Sequence, residues 1–264
     1  MPVFPQLSTG AAALYPVTRR NKTRTVVNEA MDGRLVVYQD IDGVMNEWEL
    51  RAKGLTGNEW SAIEAIFQAV QGRLQTFTFL DPAGNLLARS EEFGDPAWTN
   101  GAAIQLTPGT SDPVGTTRAT RAVNSGQAVQ AVAQVLAVPG NYQYALSVSA
   151  RTDGNSGVTL TASAGSGNAA QTFALDTQWR RISMLVALGQ STQSVTFGAQ
   201  LAAGASAHFF GMQVDAQLAP SDYKKTGARG GVINHARFAA DALTVRAQGT
   251  DVFDAVIGIV NAGV

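Results

Sequence analysis

Tyr142-Gln143-Tyr144-Ala145-Leu146-Ser147-Val148-Ser149-Ala150 alternates along its length, so that Tyr142, Tyr144, Leu146 and Val148 share one face of an extended strand. Similar short runs lie on either side of it. Residues 103–106, 128–136, 158–163, 171–175, 179–187, 194–201 and 208–215 each read as a strand, which with 142–150 makes eight, separated by Gly, Pro, Asn and Ser turns. That spacing predicts an antiparallel β-sandwich of the jelly-roll type. Between two of these runs, Ala162-Ser-Ala-Gly-Ser-Gly-Asn-Ala-Ala170 reads as a long hairpin loop.

Working outward, the chain changes character on both sides. All four lysines, Lys22, Lys53, Lys224 and Lys225, fall outside residues 54–223, and the middle is rich in Ala, Ser, Thr, Gly and Gln. Arg34-Leu-Val-Val-Tyr38 and Asn46-Glu-Trp48-Glu-Leu50-Arg51 read as strands, with the polar Asp40-Ile41-Asp42-Gly43 as a turn between them. Thr56 followed by Glu59 is a capping-box pattern, and Trp60, Ile63, Phe67 and Val70 recur at helical spacing until Gly72 supplies a stop, predicting a helix over 57–71. A strand with Phe77 and Phe79 on one face follows, halted by Asp81-Pro82-Ala83-Gly84. Leu243–Ala247 and Phe253–Ile259 alternate as a closing hairpin. The expected class is therefore mainly β: a small split β-barrel with one packed helix, built from residues 1–85 and 227–264, interrupted by an inserted sandwich at 86–226.

Composition narrows the function. With 19 Lys and Arg against 20 Asp and Glu, the formal net charge is −1, and no basic run offers a footprint for a phosphate backbone. The absence of cysteine rules out disulfides and thiolate metal sites, and two histidines, His208 and His235, are too few for a histidine-rich zinc site. No metal or cofactor is expected. The N-terminus lacks the pattern of a secretory signal, and no apolar run approaches the about 20 residues of a membrane span. Nucleic acid and membrane insertion are set aside, and assembly in a host cytoplasm is expected.

Two stretches carry a resemblance. Asn85-Leu-Leu-Ala-Arg-Ser90-Glu91-Glu92-Phe93-Gly-Asp95-Pro-Ala-Trp98-Thr99 is similar to the opening of carbohydrate-binding modules of jelly-roll fold, and Gly211-Met-Gln213-Val-Asp-Ala-Gln-Leu-Ala-Pro-Ser-Asp-Tyr223-Lys-Lys-Thr226-Gly227 resembles their last strand and exit. The remainder, Phe4-Pro5-x-Leu7-Ser8-x-Gly10, Leu14-Tyr15-Pro16-Val17, Asn46-x-Trp48-x-Leu50, the Leu55-Thr56-x-x-Glu59 helix and Gln71-Gly72 into Phe77-x-Phe79-x-Asp81-Pro82, resembles the distal tail proteins among the minor tail proteins of long-tailed bacteriophages. This likeness implies a structural virion protein of the tail tip, a ring commonly of six copies that joins the tail tube protein to tip and hub proteins. It also implies an inserted domain that binds host surface polysaccharide or serves as pure decoration. An exported glycan-binding or glycan-cleaving accessory protein is the alternative.

Candidate chemistry is sparse. Glu91 and Glu92 are adjacent and point to opposite sides of an extended chain, and Glu47 and Glu49 share a face that looks solvated, so neither forms the flanking carboxylate pair of a glycosidase. No enzyme is expected. For sugar stacking the candidates are Trp98, Tyr142, Tyr144 and Trp179, since aromatic faces pair with the apolar side of a pyranose. For ring contacts they are Thr23, Thr25 and Val27 on an early strand, with Asp40 and Asp42.

Overall fold

The computed structural model describes residues 1–262, with the side chains of 40–44 and 262 outside that description. In chain order the elements begin with β1 (Val17–Glu29), β2 (Leu35–Leu55), α1 (Gly57–Ala69) and β3 (Phe77–Leu80). There follow β4 (Thr99–Asn100), β5 (Ile104–Thr110), β6 (Ala119–Asn124), β7 (Gln130–Leu136), β8 (Gln143–Arg151), β9 (Ser156–Ala164) and β10 (Gly167–Leu175). The chain continues through β11 (Arg180–Ala187), β12 (Val195–Leu201), β13 (Ser206–Asp215), β14 (Val232–Phe238), β15 (Val245–Gly249) and β16 (Val252–Ala262). Strand makes up 51% of the chain and helix 5%, which sets the class as mainly β.

The elements form two compact units. One comprises residues 1–8, 13–79 and 233–264, and the other 9–12 and 80–232, so the borders lie outside the expected 86–226. In the first unit a six-stranded sheet runs β1-β2-β16-β14-β3, with β15 paired to β16. The closing hairpin reaches back across the sequence, since β16 pairs antiparallel with β2 and sets Ile257 opposite Leu50 and Ile259 opposite Trp48. Beneath lie Phe4, Trp48, Phe77, Phe79, Phe238 and Ile259, and α1 adds Ile63 and Ile66. Phe79 meets Trp48 edge-on at 5.3 Å, and Phe238 contacts Phe67 of α1 at 5.0 Å.

Both arms of the capping box form at the start of α1. Glu59 N–H donates to Thr56 Oγ1 at 3.3 Å, and Thr56 N–H donates to Glu59 Oε2 at 2.9 Å. Ser8 adds its N–H and hydroxyl to Glu59 Oε1 at 2.8 and 2.6 Å. Burial works against the Glu59 charge, yet the hydrogen bonds from Ser8 and Thr56 hold its pKa below the usual carboxylate value. Past the helix, Gly72 takes φ +64°, the left-handed stop that a side chain would resist.

The second unit is a sandwich of two five-stranded sheets, β10-β9-β12-β7-β4 and β11-β8-β13-β6-β5. The inward faces bury Val132, Leu160, Phe197 and Ala199 from the first against Tyr144, Leu146, Val148, Ile182, Met184 and Val214 from the second. Tyr144 and Phe197 meet edge-on at 5.3 Å across the sheets. The alternation in 142–150 is thus the inside–outside pattern of a half-buried strand.

Two expectations change on contact with the backbone, and two strands appear where the sequence carries no strand pattern. Asp40-Ile-Asp-Gly43 is no turn but part of the continuous β2, facing β1 where the register shifts between Lys22 and Arg24. Residues 162–170 are no long loop: Ala164 pairs with Gly167 around Gly165 and Ser166, with Gly165 at φ +56°, and the flanking residues join β9 and β10. Residues 119–124 and 232–238 lack a clear alternation and are the strands β6 and β14.

Candidate functional site

The opening and exit of the sandwich unit are zipped together. Asn85 donates through Nδ2 to the Met212 carbonyl at 2.9 Å and accepts at Oδ1 from Val214 N–H at 3.1 Å. Arg89 N–H donates to the Gly227 carbonyl at 2.7 Å, and Met212 N–H to the Ser90 carbonyl at 3.1 Å. Thr226 N–H donates to Ser90 Oγ at 2.9 Å. Tyr223 then lies flat on Gly211, whose absent Cβ would sit 2.7 Å from the ring and whose φ is +62°. The Tyr223 hydroxyl donates to Glu91 Oε1 at 3.0 Å and sits 2.8 Å from Ser90 Oγ. Glu91 is ringed further by Arg118 Nη1 at 3.0 Å and Lys225 Nζ at 2.9 Å. A carboxylate shared by two cations and a phenol is a fastening, and burial pushes the Tyr223 phenol above its ordinary pKa. Beside it opens a cleft of about 520 Å³ lined by Phe93, Asp95, Leu106, Pro108, Arg118 and Lys225.

The sandwich's two outer faces differ in chemistry. On the sheet β10-β9-β12-β7-β4 the outward residues include Thr159 and Thr172, whose hydroxyls are 2.8 Å apart, together with Thr161, Ser163 and Gly198. On the sheet β11-β8-β13-β6-β5 a row of larger groups crosses the strands. Arg121 of β6 stands opposite His208 of β13, and His208 stands opposite Arg151 of β8. Trp179, just ahead of β11, takes the Arg151 guanidinium over its ring at 5.4 Å and meets His208 edge-on at 6.4 Å.

One acid serves this row. Asp153 accepts from Arg121 Nε and Nη2 at 2.8 Å each and from Ser206 Oγ at 3.0 Å, and it lies 2.9 Å from His208 Nε2. The hydrogen bond from His208, followed by that from Arg121, lowers its pKa to about 2. An ionised carboxylate can only accept, so His208 carries its proton on Nε2 and offers Nδ1 to the Thr110 hydroxyl at 3.2 Å. Burial lowers the His208 pKa, Arg151 and Arg121 lower it further, and Asp153 opposes them. Arg151 is different: among the described residues it has no hydrogen bond or ion pair, and its Nε is buried without a partner.

The four aromatic candidates separate on burial. Trp98 is not available for stacking, because it is buried, with Nε1–H donated to the Arg89 carbonyl at 3.0 Å and its ring 4.9 Å from Phe93. Tyr144 is likewise core, its hydroxyl donated to the Pro139 carbonyl at 2.6 Å and its pKa raised by burial. Tyr142 is half-buried against the same core. Trp179 alone of the four joins a polar cluster on an outer face. Nothing in the sequence ties Arg121, Arg151 and Asp153 to His208, because the strands β6, β8 and β13 that bring them together lie apart along the chain.

The ring candidates Thr23, Thr25 and Val27 lie exposed on β1, the outermost strand of its sheet. Asp40 and Asp42 lie on β2, and their side chains fall outside the described residues. Beyond the register shift, β1 and β2 continue as a two-stranded arm in which Val27 faces Val37 and Val26 faces Tyr38. Its turn closes through Gly33 N–H to the Ala30 carbonyl at 2.9 Å. The arm displays large apolar side chains to solvent: Val27 is 55% exposed, Leu35 65%, Val37 60% and Tyr38 55%, and Met31 stands free at the tip.

Glu47 and Glu49 do share a face on β2, where Lys22 and Arg20 neutralise the first and Arg51 and Arg20 the second, with Trp48 buried on the other side. Lys22 lowers the Glu47 pKa.

No protein-family model matches the chain, and no curated protein matches it in sequence. Among solved structures it is similar to the enzymatically active domain of tailspike protein 4 of bacteriophage CBA120, at 9% identity and TM-score 0.42, covering 52% of this chain and 22% of that one. It is similar also to the CBM22-1 xylan-binding domain of Paenibacillus barcinonensis, at 14% identity and TM-score 0.41, covering 52% of this chain and 96% of that domain. The family 11 carbohydrate-binding module of Clostridium thermocellum is a third, at 12% identity and TM-score 0.38, covering 52% and 98%.

Proposed function

We propose that this chain is a non-enzymatic subunit of a bacteriophage tail-tip ring, of the distal tail protein kind, whose sandwich unit contacts host surface glycans during adsorption. The observation that carries the ring reading is the β1–β2 arm. A two-stranded ribbon is marginal in water, and full burial of each Val, Leu or Met side chain is worth about 1.5–3 kcal/mol. An arm with apolar groups on both faces gains that energy only when something covers it, and a ring of identical subunits supplies a cover at every position. Supporting the glycan reading is the Trp179 row, where an aromatic ring is flanked by donors and a carboxylate.

Antibody labelling of virions in electron micrographs tests the assignment. The label is expected at the tail tip, and label along the tube, on the head or nowhere on the particle overturns it. Light scattering tests the arm: replacing Val37 and Tyr38 with Glu is expected to abolish self-association of the intact chain, alone or on tail tubes. Unchanged assembly removes the arm from the interface.

A further inference from the structure

We propose that the outer face of β11-β8-β13-β6-β5 binds an anionic saccharide, with Arg151 taking the sugar's carboxylate and Trp179 the apolar face of its ring. The inference rests on the reading of the sandwich as a glycan-contacting unit and specifies the chemistry of that contact.

The argument begins with register. Arg121, His208 and Arg151 occupy directly opposed positions on three adjacent strands, and like charges facing one another across a ladder are unfavourable. A purely structural row of this kind would carry one acid for each arginine. Here Asp153 serves Arg121, His208 and Ser206 together, and its oxygens are taken up by them. Asp176, the acid nearest in sequence to Trp179, is committed to the turn ahead of β11, where it accepts from Gln178 N–H at 2.7 Å. Arg151 is left with five donors, no acceptor among the described residues, and a buried Nε.

The unpartnered, buried Nε marks a guanidinium that no group among the described residues meets, and its terminal Nη groups, which are not buried, are open to an acceptor that arrives from outside. The group best matched to a guanidinium fork is a carboxylate, which takes two parallel N–H bonds. Holding the fork over the indole at 5.4 Å restricts its rotation and presents it at the surface rather than leaving it to sweep through solvent. The hydroxyls of Thr107, opposite Arg121, and Thr110, beside His208, add neutral partners on the same face. The row is therefore one anion short of balance at the point where an aromatic platform lies, which is the arrangement that a uronate or sialate ring would satisfy.

A glycan array carrying uronates, sialates, phosphorylated sugars and neutral oligosaccharides, probed with the intact chain, tests this. Carboxylated glycans are expected to lead, with binding weakened by salt. Arg151→Gln is expected to lower affinity for them by about ten- to a hundredfold, as loss of a charge-assisted hydrogen bond does, with Arg151→Lys restoring part of it. Trp179→Ala is expected to lower affinity for every glycan bound, and unchanged hydrogen exchange in β8 and β13 would show that both variants keep the fold. Binding of neutral glycans only, or carboxylate binding indifferent to Arg151→Gln, overturns the proposal and leaves the glycan reading standing. Preference for phosphorylated sugars, or competition by inorganic phosphate as effective as by a uronate, overturns the carboxylate assignment. No glycan bound at all removes both readings.

Discussion

Truncating Glu91 should loosen the sandwich where its opening and exit meet. The side chain is only 4% exposed and accepts from Arg118, Lys225 and Tyr223. Removing it in Glu91→Ala costs unequal amounts at the three partners. Arg118 and Lys225 are 40% and 53% exposed and regain water, so each lost ion pair is worth only about 0–1 kcal/mol. The Tyr223 hydroxyl is more enclosed but keeps Ser90, which limits its loss to roughly 1 kcal/mol. The partly filled space left by the side chain adds about 1 kcal/mol. The total is about 2–4 kcal/mol, whereas Glu91→Gln, which preserves shape and an acceptor for Tyr223, should cost about 1 kcal/mol. Hydrogen exchange on the intact chain reads this directly, because the amides of Arg89, Met212 and Thr226 donate across the junction. Their exchange should accelerate about 30- to 900-fold in Glu91→Ala, with β16 and α1 unaffected. A change below about 0.5 kcal/mol at those amides would refute the view that the carboxylate fastens the two ends.

Acid should weaken the sandwich before it weakens the other unit. The folded His208 pKa lies below its ordinary 6.5, so as pH falls from that value the unfolded chain takes up a proton that the folded chain, with Arg151 and Arg121 facing the ring, resists. Stability is full above pH 6.5 and declines as pH falls towards the folded pKa; Asp153, lowered from 3.8 to about 2, adds a second decline at lower pH. Denaturant midpoints between pH 7 and 5 should show the first slope, and His208→Gln should flatten it. Thr56→Ala should cost about 1 kcal/mol in the unit that holds α1, by removing the acceptor for Glu59 N–H, with urea unfolding as the measure.

Legibility followed distance along the chain. Thr56 and Glu59 announce α1 because a capping box is complete within one turn. The alternation of 142–150 announces β8 because each residue's face is decided by its neighbours. By contrast, β6 reads Ala-Thr-Arg-Ala-Val-Asn, where polar residues sit on both sides, and it is a strand because β5 and β13 flank it. Asp40-Ile-Asp-Gly43 carries the composition of a turn, yet its backbone belongs to a ribbon that continues past it. Tertiary pairing overrides local preference in both places.

From its order of residues alone the chain determined its class: many short alternating segments and one capped helix can bury their apolar sides only as β-sheets with a single packed helix. Periodicity is a local property, and burial rewards it wherever the segment lands. Which aromatic is core and which is surface was left to tertiary structure. Trp98 and Trp179 both sit among polar and small residues in the sequence, but Trp98 is packed under Phe93 while Trp179 emerges beside Arg151. The Arg121–His208–Arg151 row likewise exists only once three strands distant in sequence adopt one register. Hydrogen bonding between strands sets that register, and no short stretch of sequence contains it.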